Sequence, residues 1–164
     1  VAFEKHLLVD GANILHAWPD LRALATRDKD AARAQLSQSL RALHDTGGWR
    51  VTLVFDGRGA ELVVEQPGAH ATFAHVFTPD ALTADTVIEQ LVGGAADPAA
   101  CTVATADRAE QQTVAVLGAA VCSPDELRAW CDRAAGRQAG QVAEMKRAND
   151  REWRRKGTLP PSQI

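Results

Sequence analysis

The chain has 164 residues, 46% hydrophobic and 24% charged, which is the balance of one soluble globular domain rather than of a disordered or fibrous chain. A net charge of −3 excludes a protein coated in positive charge, and no apolar run reaches the roughly 18 residues of a membrane span. Aromatics make up only 5% and Tyr is absent, so the core must come mainly from Leu, Val and Ala, with Phe3, Phe55, Phe73, Phe77 and the four Trp contributing locally.

His6-Leu7-Leu8-Val9-Asp10 is a short apolar run closing on an acid and reads as a buried strand. Gly11 permits a sharp turn, and a helical pattern starting at Asn13-Ile14-Leu15 is interrupted by Pro19. Asp28 can cap a helix with Ala32, Leu36, Leu40 and Leu43 on one face, ending at Gly47-Gly48. The next strand, Val51 to Asp56, again closes on Asp, and Gly57-Arg58-Gly59 marks a loop. Residues 60–68 read as a loop with room for a short strand at Leu62-Val63-Val64. A third strand is expected over Thr72 to Phe77, and Thr83 can cap a helix through Val87, Ile88, Leu91 and Val92 that stops at Gly93-Gly94.

Cys101 to Thr105 reads as a fourth strand. Asp107 opens a helix with Val114 and Leu117 facing in, and Gly118 ends it. A short strand follows at Ala119 to Cys122, then a helix start with Ser123 as cap, Pro124 at the first position and Glu126 at the third. A final polar helix is expected over residues 137–156, followed by a Pro160-Pro161 tail. Strands that are apolar throughout and alternate with helices predict a mainly parallel sheet covered on both faces, a three-layer α/β/α sandwich.

Cys101, Cys122 and Cys131 are odd in number and form no C-x-x-C pair, so they read as small buried hydrophobes in a reducing compartment. The start, Val1-Ala2-Phe3-Glu4-Lys5, is not that of a signal peptide, and the expected location is the cytoplasm. Met145 is the sole methionine, so an initiator is missing or lies outside this numbering. Between residues 144 and 157 there are six Lys or Arg against three acids, which leaves an acidic body with a basic C-terminal arm.

Acids recur at one kind of position. Asp10 and Asp56 end strands, Asp107 lies two residues past the fourth, and Asp85 lies in the first turn of the helix after the third. In an open parallel sheet these places share the carboxyl edge, where such folds bind ligands. Gathered carboxylates raise one another's pKa unless a cation neutralises them, and short Asp side chains suit Mg²⁺ or Mn²⁺. Such ions can activate water for phosphodiester cleavage.

An Asp after a strand is also a common helix cap, and each of the four taken singly is open to that reading; their recurrence at equivalent places favours function. Asn13 could orient a metal-bound water or a phosphate, or serve as a cap. Glu89, one turn after Asp85, could be an outer ligand, a base or an exposed helix acid. Thr105 could bond a phosphate oxygen or close the strand end, and Arg58 and Arg108 could bind RNA phosphates or be ordinary surface cations. Gly11 and Gly57 read as turns that let substrate approach the backbone. No P-loop is present, and His16, His44, His70 and His75 lack ligand-like spacing, although His70 or His75 could touch substrate.

Leu8-Val9-Asp10-Gly11-Ala12-Asn13, Val54-Phe55-Asp56, Thr83-Ala84-Asp85 with Glu89, and Val103-Ala104-Thr105-Ala106-Asp107 with Gln111 together resemble the NYN domain of the PIN-like nucleases, in its YacP-like branch. Ala17-Trp18-Pro19-Asp20-Leu21 fits the same branch, and the resemblance covers roughly residues 6 to 160. It implies a PIN-like fold, with residues 1–136 as the nuclease domain and 137–164 as a basic helix and tail packed on it. It also implies a Mg²⁺- or Mn²⁺-dependent endoribonuclease, associated with translating ribosomes and mRNA turnover. Asp10, Asp85 and Asp107 carry over as the acidic centre, supported by Asp56, Asn13 and Glu89. The chain departs from the family pattern at Ala12, where an aromatic is common, and at Ala106, where a small polar residue is.

On a helix, Lys146, Arg147, Arg151, Arg154 and Arg155 could present a phosphate-binding stripe for RNA or the phosphate-rich ribosome, and Trp153 could stack on a base or pack on the body. The alternative is a solvated helix whose acids pair with Arg. Two other functions compete. Ala12 and Ala106 also suit a non-catalytic RNA- or ribosome-binding module on a degenerate nuclease fold. A phosphatase or phosphotransferase with an Asp nucleophile usually carries a second acid two residues on, where Ala12 stands here.

Overall fold

The computed structural model describes residues 4–156, so Phe3 and the Pro160-Pro161 tail lie outside the described residues. Six strands form one sheet: β1 (Lys5–Asp10), β2 (Trp49–Gly59), β3 (Val63–Glu65), β4 (Phe73–Pro79), β5 (Cys101–Ala104) and β6 (Ala120–Cys122). Their order is β3-β4-β2-β1-β5-β6, and all neighbours are parallel except β3, which runs antiparallel to β4.

The strands are apolar on both sides because both faces are covered. On one face Leu7, Val9, Leu53 and Phe55 pack under α1 (Gly11–Ala17), α2 (Pro19–Arg27), α3 (Lys29–Gly47) and the start of α6 (Pro124–Lys156). On the other, Leu8, Val54 and Val103 pack under α4 (Ala84–Gly93) and α5 (Arg108–Val116). The expected three-layer α/β/α sandwich is the observed architecture.

Local chemistry sets the helix ends. Asp28 caps α3 by accepting from the Ala31 amide at 3.0 Å, and Gly48, at φ 68°, ends it in a left-handed turn that glycine adopts without steric penalty. Ala32, Leu36, Leu40 and Leu43 are its buried stripe, as the spacing predicts. Cys101, Cys122 and Cys131 are buried free thiols, and burial pushes Cys122 and Cys131 up to about 12, which makes them inert at neutral pH.

Several expectations change. Residues 57–59 are not a loop: β2 continues to Gly59, and the register shift between Asp56 and Gly59 absorbs the extra residues as a bulge. A Cβ on Gly57 would lie 2.1 Å from the Thr78 carbonyl oxygen, and one on Gly11 2.3 Å from the Phe55 ring. Both glycines therefore serve close packing of the backbone rather than approach of substrate. Leu91 and Leu117 are 40% and 38% exposed, each at the end of its helix rather than in the core.

The polar helix expected over 137–156 is the distal half of one 33-residue α6. Its proximal half packs along α3, with Trp130 stacked on Trp49 at 5.6 Å and Arg137 donating to the Thr46 hydroxyl at 3.4 Å. Beyond Gln138 every described residue is exposed, so this segment does not pack on the body.

Within the sheet, His6 is bonded through Nε2 to the Thr52 hydroxyl at 2.7 Å. Burial, and secondarily the Arg50 charge, lower its pKa to about 4. Folding thus prefers the neutral ring: its contribution is complete above about pH 6.5 and is lost as pH falls toward 4. The gap corresponds to about 3 kcal/mol before solvent screening and roughly 2 after it. Urea unfolding at about pH 7 and about pH 4.5 should show this loss, and His6→Gln should flatten it.

Candidate active site

The topology divides at β1. The chain leaves β1 toward helices on one face of the sheet and leaves β5 toward α5 on the other, so a crevice opens between the two connections at the carboxyl edge. Across it the Ala106 amide donates to Asn13 Oδ1 at 2.7 Å. Asn13 is therefore a brace between the two connections and not a cap; Asp10 caps α1 by accepting from the Asn13 amide at 3.3 Å.

Asp10, Asp56, Asp85 and Asp107 line one open hollow of about 390 Å³ with Ala12, Asn13, His16, Thr83 and Ala84. Each aspartate is held through Oδ1 by backbone amides: Asp10 by Asn13, Asp56 by Ala84 at 3.1 Å, Asp85 by Thr86 at 3.0 Å, and Asp107 by Ala109 and Glu110 at 2.9 and 3.3 Å. The Thr83 hydroxyl also donates to Asp85. The capping and the functional reading thus describe different oxygens of the same side chains. No ion pair among the described residues involves any of the four.

The acids also sense one another. Asp10, 9% exposed, has its pKa raised first by burial and further by the charges of Asp56 and Asp85. Beneath it lies a fifth acid that sequence reasoning missed. Glu110 is 2% exposed, and among the described residues neither carboxylate oxygen has a partner in good hydrogen-bond geometry. Burial and then the Asp10 charge push it up to about 8. Position 110 looks in sequence like an ordinary first-turn helix acid, and only the direction in which α5 is turned reveals its burial.

The other expected residues separate. Thr105 is fully buried and its hydroxyl accepts from the Asp107 amide at 3.1 Å, so it closes the turn instead of reaching a phosphate. Glu89 is half-buried one turn along α4 and does not line the hollow. Arg58 lines a neighbouring groove with Lys29, Arg33 and Asp56, while Arg108 is exposed outside both. His16 does line the hollow, unlike His44 and His75, which are tied to Thr72 and Ser37 at 2.7 Å.

The basic residues of α6 lie elsewhere. α6 runs beside α3 toward the amino edge of the sheet and continues roughly 28 Å past Arg137. Lys146, Arg147, Arg151, Arg154 and Arg155 are exposed on that extension, at the end of the molecule away from the aspartates. Arg147 pairs with Glu144 at 2.9 Å, and the other four form no ion pair among the described residues. Val142, Met145 and Trp153 are also exposed; Trp153, seven residues on from Lys146, shares that residue's side of the helix, while Arg147, Arg151, Arg154 and Arg155 project from the other sides.

The hollow is looser than a cage. Among the described residues no three acidic, histidine or cysteine side chains stand close enough to clasp one ion directly. The donor set still fits a hard divalent cation that keeps several waters: carboxylates without a cationic partner among the described residues, with the buried carboxyl of Glu110 next to Asp10.

A YacP-like NYN domain profile matches residues 7–163. The chain belongs to this family, within the PIN-like nuclease superfamily. It is 36% identical over 124 residues to protein YacP of Bacillus subtilis, covering 74% of this chain and 71% of that protein. Crystal structures of Rae1 (YacP) from Bacillus subtilis share the fold. One superposes with a TM-score of 0.73 at 28% identity, covering 93% of this chain and 88% of that one. A tryptophan-to-leucine mutant of the same protein gives 0.72 at 30% identity, covering 87% and 84%. No helix among the described residues is long and apolar enough to cross a membrane.

Repulsion within the hollow makes a stability prediction. Asparagine caps helices as well as aspartate does, so Asp10→Asn keeps the cap and removes the charge. The cation-free protein should gain stability, seen as a rise in Tm, because a buried group with its pKa raised by burial and by the neighbouring charges is replaced by a neutral one.

Proposed function

We propose that the chain is a divalent-metal-dependent endoribonuclease that hydrolyses RNA phosphodiester bonds at the carboxyl-edge hollow. The observation that carries this reading is the convergence of Asp10, Asp85 and Asp107, from three separate helix starts, and Asp56, from β2, on one open hollow without a cationic partner among the described residues. Membership of a nuclease superfamily supports the same reaction class.

Mg²⁺ or Mn²⁺ bound there would neutralise phosphate charge and lower the pKa of a water. Asp10, Asp85 and Asp107 are the residues suited to hold it, with Asp56 at the rim. Their Oδ1 atoms are fixed by amides, so each carboxylate is pre-oriented and little reorganisation remains for the reaction. Asn13 keeps Asp10 and Asp107 at a fixed separation through its bond to Ala106. Lys29, Arg33 and Arg58, in the groove that shares Asp56 with the hollow, offer cations to the RNA backbone. The openness of the hollow suits a polymer entered mid-strand rather than a small enclosed substrate.

The substrate we propose is mRNA, engaged on a large RNA assembly such as the ribosome. The α6 extension supports this: its exposed cations stand roughly 30 Å from the hollow, allowing for the height of the sheet, so only an extended polyanion can meet both. The proposed location is the cytoplasm.

Purified protein with Mn²⁺ should cleave single-stranded RNA internally, and Asp10→Asn should lower the rate at least ~100-fold. Full cleavage by Asp10→Asn would remove Asp10 from the centre, and tight RNA binding without cleavage in any metal would favour the non-catalytic module. Replacing Lys146, Arg151, Arg154 and Arg155 by Gln should leave cleavage of a short RNA oligonucleotide unchanged. The same variant should bind long structured RNA more weakly, with a shallower salt dependence.

A further inference from the structure

Glu110 is an acid buried in the first turn of α5. It occupies the third position of α5, where a glutamate commonly reaches back to the amide of the capping residue. That amide, of Asp107, instead donates to Thr105 Oγ1 at 3.1 Å. Among the described residues Glu110 makes no ion pair and neither of its oxygens has a partner in good hydrogen-bond geometry, and its side chain is turned into the protein at 2% exposure.

A glutamine or leucine at this place would spare the fold a buried charge-bearing group. What the carboxylate does have is position. Its polar neighbours are the Thr105 hydroxyl and the carboxylate of Asp10, and Asp85 is near enough to act on it through its charge. It thus stands on the buried side of the aspartates that line the hollow, while those aspartates face solvent from the other side.

We propose that Glu110 is a positioning residue of the cation site, standing behind Asp10 so that a divalent ion in the hollow meets negative charge from the protein interior as well as from the rim. The proposal rests on the reading of the hollow as a cation site. It extends the acidic centre to a residue on α5 that faces inward, and it gives a reason for a buried carboxylate in the core. Glu110 acts through Asp10: with charge behind it, Asp10 is held toward the ion instead of relaxing inward.

The test is Mn²⁺ binding to the full chain, read by the electron paramagnetic resonance signal of free Mn²⁺ during titration. Glu110→Gln keeps shape and removes charge. It should weaken Mn²⁺ binding at least tenfold while raising the melting temperature of the cation-free protein. Glu110→Asp, which keeps the charge but shortens its reach, should fall between the two. Binding of Mn²⁺ by Glu110→Gln within twofold of wild type would overturn the proposal and leave the aspartate site standing. Absence of Mn²⁺ binding by the wild type would overturn the cation site, and this proposal with it. A second measurement needs no variant: in crystals soaked with Mn²⁺, the anomalous peak should lie within about 5 Å of a Glu110 oxygen, the span of one bridging water. A peak farther away would equally overturn it.

Discussion

Like charges brought to one sheet edge repel, and the fold holds them there with backbone amides. Each aspartate of the hollow gives one oxygen to N–H groups at a helix start. These amides are donors that a helix must satisfy in any case, so the same bonds that finish α1, α4 and α5 pin the carboxylates in place. The cross-crevice bond from Ala106 to Asn13 then fixes the two connections that the topology sends to opposite faces. Without that brace, Asp10 and Asp107 would belong to two layers free to move apart.

The close packing beneath the edge follows from the same demand. Gly11 lets α1 start immediately after Asp10 with its backbone against the Phe55 ring, and Gly57 lets β2 stay against β4 just past Asp56. In both places a side chain would displace the residue next to an acid. The glycines are thus matched to the aspartates they follow, through space the sequence does not display.

Much of this was legible in the residues. Strands apolar on both faces announced the layered sheet, because a sheet with one wet face would alternate. Asp10, Asp56, Asp85 and Asp107 stood at positions that any parallel sheet brings to one edge. What was hidden depended on rotation and on distance in three dimensions. Whether Glu110 faces water or the core depends on how α5 is turned on the sheet, and a helix of nine residues can present that position either way. Gly57-Arg58-Gly59 has loop composition, yet pairing with β4 keeps it in the sheet through a bulge. The last helix, expected to begin at residue 137, has no separate start there: α6 runs on from Pro124 through Gly136 and Gly140, both of which have open space around them.

The length of α6 has an electrostatic consequence. At physiological ionic strength charges are screened over about 8 Å, and the cations of the extension stand several such lengths from the aspartates. The two ends of the molecule are therefore insulated from each other. Substitutions on the helix can retune attachment to a polyanion without disturbing the ionisation of the acids, so selection could adjust grip and chemistry separately.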